Sequence, residues 1–283
     1  MRLENNFTIS VQIDPPQEKN FEKLRKDVSD LKDSDVTIFD INDSRRDCMD
    51  SFSVAANLSN LDKDGATFIP HITRRDLSLE TLLPHIAREY TEHNLRNILV
   101  VTGDPYPERD PEIKTKSIGM IASIDRYLRQ TGITPDLIIA GAVNQNSANL
   151  NREANKLRAK IREHADFFMS QPVFDQEQAQ DMHNFCREHS DKPILAGVWP
   201  LASMKTVENI KKGVIEGVVI PPGIYDEAQL YQNDPDRLKA WSFEQTRQTV
   251  KYIRDNNLAQ GIYVVAPLRD PAQLVDFVKS LNN

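Results

Sequence analysis

The chain has 283 residues, with 35 basic and 42 acidic side chains and a net charge of -7. That length can bury an ample core without disulfides or a structural metal, as one large domain or two modest ones. The acidic balance speaks weakly against nucleic acid, and no apolar run reaches the roughly 20 residues of a bilayer span.

The opening MRLENNFTIS lacks the basic-then-apolar order of a secretory signal. Cys48 and Cys186 are the only cysteines and lie far apart, which fits a reducing cytoplasm better than a disulfide framework. Short β-rich runs then recur along the chain at Phe7–Ile13, Val36–Ile41, Ala66–Ile72, Asn97–Gly103, Asp136–Asn144, Asp166–Val173, Lys192–Pro200 and Gly261–Pro267. Each is apolar and bounded by turn residues. Amphipathic segments lie between them. Phe21, Leu24, Val28 and Leu31 keep helical spacing, and Leu82, Ile86, Tyr90 and His93 do so less cleanly. Ser78 suits a helix start, and Asp175 before QEQAQDMHNF is a better N-cap.

Strand then helix, repeated about eight times at roughly 30-residue spacing, is the pattern of parallel βαβ units. It predicts an α/β fold, a (βα)8 TIM-like barrel as one domain over residues 1–283. A doubly wound open sheet is the alternative. Residues 218–257 break the rhythm with an extra VVIPPG segment and a long polar helix before the last strand.

In a barrel of this kind the active site gathers at the C-terminal ends of the strands. The residues closing these strands are polar: Gln12 and Asp14, Asn42 and Asp43, His71 and Thr73, Thr102 and Asp104, Asn144, Gln171, and Arg269 after the eighth. Loops are polar anyway, so no one of these is decisive; their convergence from most strands carries the weight. No GxGxxG or GxxxxGK[ST] fingerprint occurs, and no GxSxG elbow. His183 and Cys186 have a ligand-like spacing without a second pair, and on a helix they are better read as packing residues. The doublets Arg45/Arg46 and Arg74/Arg75 suit either a carboxylated or phosphorylated ligand or a solvated rim.

VQIDPP at 11–16, IPHITRRD at 69–76, VTGDPYP at 101–107 and DFFMSQPVFD at 166–175 together resemble the methylenetetrahydrofolate reductase family, in its order and at its spacing. AVNQNSANLNREANKLRAKI at 142–161 is similar to the form fused to bacterial homocysteine methyltransferase. The resemblance implies a barrel holding FAD noncovalently, with NADH or NADPH as electron donor. It implies reduction of 5,10-methylenetetrahydrofolate to 5-methyltetrahydrofolate in one-carbon metabolism and methionine biosynthesis. A homo-oligomer is expected from the exposed helical ring.

The same resemblance assigns roles by position. Asp104 matches an acid that hydrogen-bonds the pterin and places negative charge near the flavin and the cationic iminium. Gln171 matches a folate-contacting glutamine, whose amide can both donate and accept. His71 matches a flavin-contacting histidine, and Gly103 permits close backbone approach. Thr102, Lys116 and Ala142 fall at cofactor-binding positions. Glu153 aligns with an acid on the FAD ribose, and Lys156 and Lys160 with basic positions near its phosphates. Arg269 corresponds loosely to an arginine near the folate's glutamate tail.

The chain also departs from the family. Gln12 stands where strand one normally carries the Glu that protonates the folate nitrogen, and losing a general acid typically costs about 10²–10⁴ in rate. Period two puts Asp14 on the same face, roughly 7 Å further along, as a partial substitute. Val143 replaces an aromatic, Ser147 a histidine, Thr102 an arginine and Arg74 a small residue. The Gln12 exchange keeps a second reading open: a folate-binding methyl-transfer component or accessory subunit with the same barrel and no independent reductase activity. A third is a degenerate barrel kept for binding or scaffolding.

Overall fold

The first and last strands pair side by side, from Thr8 opposite Gly261 to Gln12 opposite Val265, and this pairing closes a parallel barrel of eight strands in sequence order. The computed structural model describes residues 7–43, 48–61, 65–73, 77–103, 116–132 and 136–281. The strands are β1 (Thr8–Ile13), β2 (Ile38–Ile41), β3 (Thr67–Ile72), β4 (Asn97–Val100), β5 (Ile138–Val143), β6 (Phe167–Val173), β7 (Ile194–Val198) and β8 (Gly261–Val265). An open sheet is thereby excluded. All eight strands fall inside the apolar runs of the sequence and are shorter at the ends. Strand four stops at Val100 because Gly103 has already turned to a left-handed φ of 77°.

Alternation along each strand divides the side chains into two sets. Ile38, Ile69, Leu99, Ala140, Phe167, Met169, Leu195 and Tyr263 form one buried cluster, filling the lumen. Their neighbours Val11, Ile13, Phe39, Ile98, Phe168 and Val264 point outward and belong to the larger core under the helices. Both faces of every strand are covered, which is why the runs read as continuously apolar.

The helices are α1 (Phe21–Lys32), α2 (Ser51–Leu61), α3 (Leu79–Glu92), α4 (Ser117–Gln130), α5 (Leu150–Arg162), α6 (Gln176–His189), α7 (Met204–Lys211), α8 (Pro222–Gln229), α9 (Pro235–Asp255) and α10 (Val275–Leu281). Leu24, Val28 and Leu31 bury the inner stripe of α1. Ser78 and Asp175 cap α3 and α6, each side chain accepting the backbone N–H three residues on. On α3 the buried stripe runs through Leu82, Ile86 and Glu89 rather than on to His93. Glu89 is buried because His85 and Arg88 contact its carboxylate. His183 bonds the Leu258 carbonyl at 2.8 Å, and burial pushes the Cys186 thiol up to about 12, so both are packing residues. The two cysteines are not joined in a disulfide.

The extra segment before β8 forms a satellite core. Val218, Ile220, Ile224, Ala228 and Leu238 pack with Phe174 and Leu201. Side-chain amides fasten it to the barrel mouth: Asn146 donates to the Gly217 carbonyl and Gln178 to that of Val219, both at 2.9 Å. Among the described residues no helix is long and apolar enough to cross a membrane.

Candidate active site

Gln12, His71, Thr102, Gly103, Ala142 and Gln171 all lie on the C-terminal ends of strands or directly after them, and so share one mouth of the barrel. Asp104 and both arginine doublets lie outside the described residues.

Gln12 is half-buried at the end of β1, opposite Asp40 on β2. Asp14, beyond the strand, is held from two sides. Asn42 donates to one oxygen at 2.9 Å, and Arg269 Nε lies 3.3 Å from the other. Leu268 and Arg269 adopt consecutive left-handed conformations, φ 53° and 61°, in the turn that swings Arg269 back over β1. Non-glycine residues in that region cost free energy and persist where surrounding contacts hold them.

His71 is buried at the end of β3, and its Nε2 lies 3.2 Å from Asp40 Oδ1. Asp40 Oδ2 accepts from the Ser10 hydroxyl at 2.7 Å. Sequence reading passed over Asp40 and Ser10. The signal was present in TIFDIN: an acid at lumen parity inside an apolar strand, where nothing but a partner would tolerate it.

Gln171 sits where the β6–β7 register slips between Met169 and Pro172. Proline has no N–H for the ladder, and such an irregularity re-aims the side chain beside it. The side chain of Gln145 pairs with the Gln171 backbone in both directions, accepting its N–H at 3.0 Å and donating to its carbonyl at 2.8 Å. Gly217 closes over the Gln171 side chain so tightly that an added Cβ would lie 3.1 Å from Cδ. Beneath, Tyr263 donates to the Ser170 carbonyl at 2.6 Å across the lumen. Burial raises its phenol further, so it stays protonated.

The charged residues of α5 are arranged differently from a row of free ligands. Glu153 is buried, accepting from the Asn144 N–H and, at 2.7 Å, from Lys156. Lys160 is buried and donates to the Ala142 carbonyl. Burial pushes its ammonium down from the usual 10.5 to about 8. Lys116 is exposed at the N-cap of α4.

The Lys160 shift has a measurable consequence. Between about 8 and 10.5 the unfolded chain binds the proton that the folded chain has released, so stability should rise with pH across that window. The gain is about 3 kcal/mol at roughly 1.4 kcal/mol per unit. Denaturant melts of the wild type against Lys160→Met should differ by that slope, and parallel profiles would contradict it.

Among the described residues no group of three His, Cys, Asp or Glu side chains could hold a metal ion. The family model for methylenetetrahydrofolate reductase matches residues 1–269. The chain belongs to the methylenetetrahydrofolate reductase family. One curated relative, methylenetetrahydrofolate reductase 2 of Schizosaccharomyces pombe, is 26% identical over 196 residues, covering 64% of this chain. The chain spans only 29% of that relative's length. Among solved structures, an uncharacterized protein from Clostridium thermocellum that binds two copies of 5-methyl-5,6,7,8-tetrahydrofolic acid superposes with a TM-score of 0.68 at 16% identity, over 98% of this chain and 95% of that one. The 7,8-dihydropteroate synthase of Vibrio fischeri superposes at 0.54 with 11% identity, over 100% and 94%. At such identities these two likenesses speak for the shared barrel of this reductase family member and no further.

Proposed function

We propose that this barrel reduces 5,10-methylenetetrahydrofolate to 5-methyltetrahydrofolate through a noncovalently bound FAD, recharged by NADH or NADPH. The observation that carries the reading is the family match over residues 1–269, combined with Gln12, His71, Gly103 and Gln171 on one barrel mouth.

The residues present fit the cofactor. Thr102 is exposed, and Gly103 turns at φ 77° with Thr73 Cγ2 packed where a Cβ would be, 2.8 Å away, so only a glycine keeps this turn at the mouth. Lys116 and the half-exposed Lys156 offer positive charge for phosphates, and Glu153 holds Lys156 in place. Lys160 would act from below, fixing the Ala142 carbonyl instead of reaching the ligand itself. When bound, FAD supplies hydride chemistry that no side chain can perform.

The protein's own work is orientation and proton handling. Gln171, with its backbone locked by Gln145, can donate to and accept from the pterin edge. Arg269 can meet the carboxylates of the glutamate tail, and Asp14 steadies it. Asp104 would place negative charge against the cationic intermediate.

The Gln12 exchange supports a second reading, a folate-binding methyl-transfer component or accessory subunit. The visible absorption spectrum of freshly purified protein separates the two. Flavin bands, with FAD released on denaturation, are expected for the reductase. A colourless protein that fails to take up added FAD would leave folate binding without redox chemistry.

A further inference from the structure

Beneath Gln12 the barrel lumen carries an acid with its own two partners. Asp40 is fully buried, and Gln12 on β1 and Ile69 on β3 are its neighbours across the sheet. His71 lies two residues nearer the mouth than Ile69. Strands are about 4.8 Å apart, so Asp40 stands one step around the wall from Gln12, and His71 two steps around and one layer nearer the mouth. Ser10 and His71 occupy the two carboxylate oxygens, and Ser51 donates to the His71 carbonyl at 2.8 Å. Backbone and ring of His71 are thus both held. An unpaired carboxylate this deep would cost several kcal/mol, so the imidazole contact has to offset that cost. With Nε2 on Asp40, and with no hydrogen bond to Nδ1 among the described residues, Nδ1 is the nitrogen that a ligand would meet.

We propose, resting on the reductase reading above, that the His71–Asp40 pair delivers the proton to the folate ring nitrogen in place of the acid that Gln12 does not supply. His71, protonated on both nitrogens, gives its Nδ1 proton to that nitrogen. The carbon–nitrogen bond of the five-membered ring breaks, and its electron pair stays on the nitrogen that took the proton. An iminium remains on the other nitrogen, to be reduced by hydride from the flavin. His71 is left neutral with its Nε2 proton on Asp40, and water returns the proton to Nδ1. Asp40 is a positioning residue here: it selects the tautomer and compensates the charged ring, as a buried carboxylate does behind a catalytic imidazole.

The test uses the full chain. Nitrogen-15 NMR of labelled histidine, in protein without substrate and at a pH where the ring is neutral, should find the one remaining His71 proton on Nε2, and Asp40→Asn should lose that preference. In FAD-loaded protein, Asp40→Asn should slow the folate half-reaction on the order of 10²-fold relative to the nicotinamide half-reaction. Adding Gln12→Glu to Asp40→Asn should restore most of the rate, which a merely structural defect would not allow. Ser10→Ala, a milder change, should slow the same half-reaction about tenfold and serves if Asp40→Asn does not fold. An unchanged half-reaction in both single variants would overturn the proposal. Wild-type protein that binds and reduces FAD but never turns over the folate would overturn the reductase reading, and the proposal with it. That second failure is visible in the wild type alone, so the two are told apart.

Discussion

Gly261→Ala is expected to cost more than about 3 kcal/mol and to lower the melting temperature by roughly 10 °C. Gly261 is the first residue of β8, directly opposite Thr8 on β1. A Cβ there would lie 2.2 Å from the Thr8 carbonyl oxygen and 2.8 Å from its carbon. These are backbone atoms inside a ladder, with no rotamer to swing away. Relief therefore means prying apart the seam that joins the first and last strands. No local turn holds that seam; it exists only because the other strands bring its edges together. Gly223→Ala is the control, since a Cβ at Gly223 meets nothing within 4 Å. It should change stability by less than about 1 kcal/mol. Equal denaturation midpoints for the two variants would show that the seam yields more easily than its geometry implies.

Gln171→Ala should weaken binding of 5-methyltetrahydrofolate about 10- to 100-fold while leaving the melting temperature nearly unchanged. One or two lost hydrogen bonds, at about 1–1.5 kcal/mol each, account for that range. The argument is one of preorganisation. The Gln171 backbone is already satisfied by Gln145, and its side chain is backed by Gly217. The amide would therefore meet a ligand without first being ordered, and removing it leaves the scaffold intact. Isothermal titration calorimetry reads the affinity. An unchanged dissociation constant would remove Gln171 from the proposed folate site. Gly217→Ala offers an independent check, because at φ 78° a Cβ is both strained and pressed onto the same amide. It should weaken binding in the same direction without touching any ligand atom.

Much of this protein was legible in its order of residues. Apolar runs with turn residues at both ends marked every strand, because a strand covered on both faces has to be apolar throughout. Ser78 and Asp175 announced helix starts through a local hydrogen bond that needs no distant partner. Gln12, His71 and Gln171 were identifiable as strand-end residues, since a polar group closing an apolar run can only face the mouth.

Other features depend on neighbours far away in the chain. Asp40 drew no role from its own strand; only Ser10 and His71, 30 and 31 residues away, make a buried acid tolerable there. Lys160 resembled an outward ligand until folding turned it under the Ala142 carbonyl, where desolvation changes its chemistry. Gly217 gained its meaning from Gln171 and Asn144, which a segment outside the strand–helix rhythm reaches only in three dimensions. Periodicity, caps and strand ends are determined by the sequence alone because their physics acts within a few residues. Closure at Gly261, the buried pairs and the backing of the site were decided by tertiary structure, because contact and desolvation between distant residues exist only once the barrel has formed.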